Sequence, residues 1–168
     1  SLKKAIDINP QDKDVIKSSA DDMPFQDNQF DTVFCTEVLE HIPTNGIRPM
    51  LKEIKRVLMD GYVDRKNSSS GGNLIITVPY DEDLSRKTMT CPYCNSTYHG
   101  IGHVQSFDLV RITGLLEDNG FKVVDYHILP IMMMSRFPMP YRYKWVFRLL
   151  SKHMVFEQKL IIICRPVG

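Results

Sequence analysis

The chain has 168 residues, 43% of them apolar, enough for one buried core and too few for a second large domain. Its 21 basic and 20 acidic residues leave a formal charge of +1, which argues against a general nucleic-acid binder. No apolar stretch approaches the roughly 20 residues that cross a bilayer, and the start lacks a signal pattern, so the expectation is one cytoplasmic domain over residues 1–168 with no transmembrane segment.

Ala5 to Ile8 reads as a short strand stopped by Asn9-Pro10, with Val15-Ile16 a second, edge strand. The stretch from Asp21 to Ile42 combines an acidic loop, a buried strand and a helix start, which together can wall the purine side of a nucleotide-type pocket. Its strand, Phe30 to Cys35, is nearly all apolar and is expected at the centre of a sheet, covered on both faces. Met50, Leu51, Ile54, Val57 and Leu58 then repeat at helical spacing, with Lys52, Glu53, Lys55 and Arg56 on the wet side. Residues 60–72 are polar and glycine-rich, a loop, before the strand Asn73 to Pro79.

Further on, Leu109, Ile112, Leu115 and Leu116 mark a helix that Asn119-Gly120 should stop in the left-handed manner. Phe121 to Leu129 is a strand, a helix is expected around Trp145 to Leu150, and Lys159 to Cys164 is a final strand. Alternation of this kind indicates an open α/β sheet, mostly parallel, whose last strands can run antiparallel. The four cysteines are a close pair, Cys91 and Cys94, and two isolated ones, Cys35 and Cys164, which is no disulfide framework.

Cys91-Pro92-Tyr93-Cys94 followed by His99 and His103 has the spacing C-x2-C-x4-H-x3-H, close to that of a zinc knuckle. Four protein ligands would make the zinc structural, within an insertion at residues 85–106. The plainer alternative is a free cysteine pair and two surface histidines.

In order and spacing, Asp22-Met23-Pro24-Phe25, Gln29-Phe30-Asp31-Thr32-Val33, Glu37-Val38-Leu39-Glu40-His41, Glu53 to Leu58 and Gly71 to Pro79 resemble the class I S-adenosylmethionine-dependent methyltransferases of the type 11 group. The resemblance implies a Rossmann-like sheet, S-adenosylmethionine as cofactor, and methyl transfer to an acceptor it does not identify. It places Asp7 at the ribose hydroxyls, Ala20 and Asp21 at adenine, Met23 on the apolar wall, and Cys35 and Thr36 beside the methionine portion. Where the family often has Asp before Ala20, this chain has Ser19. The family's first strand and its glycine loop have no counterpart, and that strand would lie between those starting near Ala5 and Phe30. Unpaired backbone in a buried sheet costs about 1 to 3 kcal/mol per group. Three arrangements avoid that cost: the chain is a fragment, the flanking strands pair directly, or another chain supplies the strand.

Members of the group can carry a similar cysteine-histidine insertion, which adds to the zinc reading. In some methyltransferases a Glu-x-x-Glu-His run like Glu37 to His41 holds a divalent ion, but related sequences commonly carry this helix start without metal. His41 is also the candidate base, since an imidazole titrates near neutral pH. Residues 130–153 hold methionines, aromatics and basic residues but no acid, which suits an anionic or apolar partner such as a substrate or membrane surface, or a core with a solvated basic face. The competing function is a catalytically inactive, methyltransferase-like interaction module that binds RNA, lipid or protein.

Overall fold

The structure is a computed structural model that describes residues 3–59, 62–63, 69–130 and 158–167. In chain order the strands are β1 (Ile6–Asp7), β2 (Ile16–Lys17) and β3 (Thr32–Thr36), followed by a 3-10 turn at Leu39–His41 and helix α1 (Thr44–Val57). Then come β4 (Tyr62–Val63), β5 (Ser69–Ser70), β6 (Asn73–Tyr80), a 3-10 turn at Leu84–Lys87, β7 (Thr88–Thr90), β8 (Thr97–His99), α2 (Leu109–Asp118), β9 (Phe121–Pro130) and β10 (Gln158–Pro166).

The main sheet has the order β3-β6-β10-β9. β3 runs parallel to β6, whereas β10 runs antiparallel to both of its neighbours. The expectation of a mostly parallel sheet is therefore corrected to a mixed one. β1 and β2 form a separate parallel pair, so the strands on either side of the expected first strand do not pair with each other.

Leu74, Ile76 and Val78 on β6 and Leu160, Ile162 and Cys164 on β10 are buried at every second position, the period of a pleated strand. They share one core with Ile47, Met50, Leu51, Ile54 and Val57 of α1 and Ile112 and Leu116 of α2. Each such side chain contributes about 1.5–3 kcal/mol by leaving water. Asp108 caps α2 by accepting a hydrogen bond from the Arg111 N–H at 2.7 Å, and Gly120 ends it at φ +77°.

β3 differs from the central, doubly covered strand that its composition suggests. It is an edge of the main sheet, and Phe34 is 68% exposed. It pairs with β6 on one side only, and Val33, Phe34 and Cys35 line the cavity described below. Of the segment 130–153, only Pro130, the last residue of β9, is described; the helix expected near Trp145 lies outside the described residues. No helix among the described residues is long and apolar enough to cross a membrane.

Candidate functional site

Between the β1–β2 pair and the free edge of β3 lies a cavity of about 780 Å³. That volume falls within the range of small-molecule and cofactor sites. Asp7, Ala20, Asp21, Met23 and Cys35 all line it, as does the candidate base His41. Asp7 and Asp21, fourteen positions apart in sequence, thus share one cleft. Thr36 closes β3 in register with Thr77 and is not among the lining residues. The cavity extends along β3 to Met50, Ile54 and Val57 of α1, so its floor is apolar while its rim is acidic.

Local bonding shapes that rim. The Asn9 N–H donates to Asp7 Oδ1 at 2.6 Å, and the Ser19 hydroxyl donates to Asp21 Oδ1. Met23 and Phe25 are held by α1, because the Arg56 guanidinium donates to the carbonyl oxygens of both residues. At the end of β3, Glu37 has φ +54°, a left-handed conformation that costs a non-glycine residue on the order of 1 kcal/mol or more. The strain is offset by its bonds: its N–H donates to the Thr77 carbonyl at 2.9 Å, and its carboxylate accepts from the Thr77 hydroxyl and Lys159 Nζ. Lys159 was invisible as a partner in the sequence, since 122 positions separate the two residues.

A second polar cluster stands beside the cavity. His103 Nδ1 bonds Glu82 Oε2, and His103 Nε2 lies 4.0 Å from Glu40 Oε1. The His41 and His103 rings meet edge to face with centroids 4.8 Å apart, and His99 stacks on His103 at 4.9 Å. Glu40 is 1% exposed, and neither of its carboxylate oxygens has a hydrogen-bond partner among the described residues. Burial pushes its carboxyl group up from the ordinary value, and nearby Glu37 adds to the shift while His41 and His103 oppose it. Glu82 moves the other way: its burial is outweighed by the hydrogen bonds from His103 and Lys87.

The set Cys91, Cys94, His99 and His103 is not gathered into one four-ligand group. Among the described residues, the groups whose ligand atoms lie within 4.8 Å of one another are Glu40–His41–His103 and Glu82–His99–His103, neither with a cysteine. The cysteines occupy the turn between β7 and β8, where the Cys94 thiol bonds the Ser96 hydroxyl at 2.7 Å. His103 instead lies against the half-buried carboxylate of Glu82 and the buried one of Glu40. Glu82 and Glu40 were not readable as its partners, because the contacts join segments 21 and 63 positions apart.

Comparison with known proteins agrees with this fold. Residues 1–62 match the family described as Methyltransferase domain. The 1,6-didemethyltoxoflavin-N1-methyltransferase of Burkholderia thailandensis, solved with 1,6-didemethyltoxoflavin and S-adenosylhomocysteine, superposes with a TM-score of 0.63 at 12% identity, covering 98% of this chain and 61% of that one. A SAM-dependent methyltransferase from Methanosarcina mazei gives 0.56 at 15% identity, with 89% and 65% covered. Another, from Archaeoglobus fulgidus, gives 0.56 at 18% identity, with 95% and 74% covered. The chain therefore spans less than two thirds of the first two relatives. No curated protein matches the sequence. The resemblance to class I SAM-dependent methyltransferases thus holds at two levels, by sequence over residues 1–62 and by fold over nearly the whole chain.

Proposed function

We propose that the cavity between β1 and β3 binds S-adenosylmethionine and that the protein takes part in methyl transfer. The observation that carries this reading is the convergence of Asp7, Ala20, Asp21, Met23 and Cys35 on one cavity. The donor set suits the cofactor: Asp7 offers a carboxylate for ribose hydroxyls, backbone groups at Ala20 and Asp21 can meet the purine edge, and Met23 adds apolar surface. When bound, the cofactor supplies a methyl group already activated on a sulfonium. The chain's own contribution is to orient that group and exclude water, because positioning alone removes much of such a barrier.

The same proposal includes a further parallel strand and glycine turn, set at the edge of β3 that β6 does not occupy, to complete the cofactor's cradle. Calorimetric titration with S-adenosylhomocysteine tests both parts, using this chain and a form extended at its amino end. Tighter binding by the extended form, weakened at least tenfold by Asp7→Ala, is expected. Failure of both forms to bind would favour the interaction module.

A further inference from the structure

We propose that Cys91 and Cys94 are a redox-active thiol pair, a modification site that a low-molecular-weight disulfide of the glutathione class oxidises to an intrachain disulfide. Both thiols stand on the one turn that joins β7 to β8. The Asn95 N–H donates to the Cys91 carbonyl at 2.9 Å, the Cys91 N–H donates to the Ser96 carbonyl at 2.9 Å, and Asn95 takes φ +54° as the chain reverses. Residues three apart in a tight turn have Cα atoms less than about 7 Å apart, within the reach of a disulfide. The Cys91 thiol is also a hydrogen-bonding neighbour of Cys94.

The surroundings leave the pair open to this chemistry. Cys94 is exposed, and Tyr93 beside it is 96% exposed, so a small reagent has access to the tip of the turn. The Ser96 hydroxyl, 2.7 Å from Cys94 Sγ, can donate to the attacking thiolate. Neither thiol belongs to a gathered metal-ligand group among the described residues. His103 Nδ1 bonds Glu82 Oε2, and His99 Nδ1 accepts from the His103 N–H at 3.1 Å, so each ring has a partner other than a thiol. Cys35 and Cys164 are buried in β3 and β10, which leaves Cys91, the neighbour on the turn, to resolve a mixed disulfide at Cys94.

The exchange takes two steps. The Cys94 thiolate attacks one sulfur of the reagent, whose S–S bond breaks, and half of the reagent leaves as a thiolate with the bonding pair. The Cys91 thiolate then attacks Cys94 Sγ, the Cys91–Cys94 bond forms, and the other half leaves in the same way. The two protons given up by the cysteines go to the two departing thiolates. The chain thus loses two electrons and two protons, and the reagent is reduced to two thiols. A bond that closes so short a loop removes little chain entropy, so it adds little stability, and its exposure keeps it easily reduced.

The test uses the whole chain and does not depend on cofactor binding. Protein treated with chelator is equilibrated with oxidised and reduced glutathione in varied ratio, quenched with acid, alkylated and read by mass spectrometry. In the most oxidising mixture two thiols should escape alkylation, with the protein lighter by two hydrogens and Cys91 linked to Cys94 in the digest. Dithiothreitol should restore both. Cys91→Ser, which removes the resolving thiol from a surface turn, should accumulate glutathione on Cys94 at least tenfold above the wild type, and Cys94→Ser should abolish the linked species. Free thiols at both positions in the oxidising mixture, glutathione retained on wild-type Cys94, links only between chains, or a metal ion in the untreated protein that holds both thiols and shields them from glutathione would each overturn the proposal.

Discussion

The Arg56 guanidinium donates to the Met23 carbonyl oxygen at 3.0 Å while the Met23 N–H donates to Glu53 Oε2 at 3.1 Å, so both backbone groups of one cavity residue are held by α1. Arg56 also donates to the Phe25 carbonyl at 2.8 Å, to Asp27 and to both oxygens of Glu53. A single planar group thereby ties the acidic loop to the helix that carries the core.

Arg56→Lys keeps the charge but cannot reproduce that fork, since an ammonium has neither the planarity nor the number of donors. The stranded carbonyls of Met23 and Phe25 should destabilise the fold by about 1–3 kcal/mol. Urea unfolding measures the loss. A midpoint equal to the wild type's would mean that the loop is held by something else.

The same clamp predicts a pH dependence. The Arg56 hydrogen bonds first, then the Met23 N–H and the Arg56 charge, hold the Glu53 carboxyl below its ordinary value despite partial burial. A depressed folded-state pKa means that the unfolded chain binds more protons at mildly acid pH. The contribution of Glu53 is therefore fully present above the unfolded value, about 4.3, and is lost as pH falls through the lower folded value. Glu53→Gln should flatten that part of the stability profile, measured by thermal unfolding from pH 6 down to about 3. An unchanged acid limb in the variant would contradict the assignment.

Two glycines at α2 should respond with opposite signs. Gly120 sits at φ +77°, and an added Cβ would come within 2.8 Å of Lys55 Nζ, the group that donates to the Val167 carbonyl. Gly120→Ala should cost about 1–2 kcal/mol. Gly114 lies in an exposed helix interior, and a Cβ there meets nothing within 4 Å. Gly114→Ala should raise stability by about 0.5–1 kcal/mol. Paired melting curves decide it: a shift of the same sign in both would show that packing, not backbone conformation, governs these positions.

Local patterns made much of this fold readable before any coordinates. The apolar stripe from Ile47 to Val57 is buried as α1, Asn119-Gly120 ends α2, and the alternating runs of β6 and β10 face the core. Those signals depend on neighbours a few positions apart. The edge position of β3 was hidden because an apolar run reads the same against a strand and against a cavity. Asp7 and Asp21 came to one cleft through the family resemblance, which carries long-range topology that spacing cannot. For Cys91, Cys94, His99 and His103 the regular spacing suggested one ligand set, and it gave no sign that His103 lies against Glu82 and Glu40.

Thiol chemistry reads the state of the cysteines directly. Cys35 and Cys164 are buried in β3 and β10, and burial pushes both thiols up to about 12, with Glu40 adding to the shift at Cys35 and Cys35 adding to that at Cys164. Only the thiolate attacks a disulfide reagent, so both should stay silent at pH 8 in the folded protein. Cys94 is exposed, and the Ser96 hydroxyl and N–H, followed by Cys91, pull its thiol below the ordinary value. In chelator-treated protein an aromatic disulfide reagent should therefore modify Cys94 first, then Cys91, with the other two appearing only in denaturant. If the protein before chelator treatment instead shows no reactive thiol, and the two appear only once chelator is added, then Cys91 and Cys94 hold metal and the hairpin turn has a ligand role. Modification of Cys35 in native protein at a rate like that of Cys94 would mean that the cavity admits the reagent, and that the end of β3 is less closed than its 6% exposure indicates.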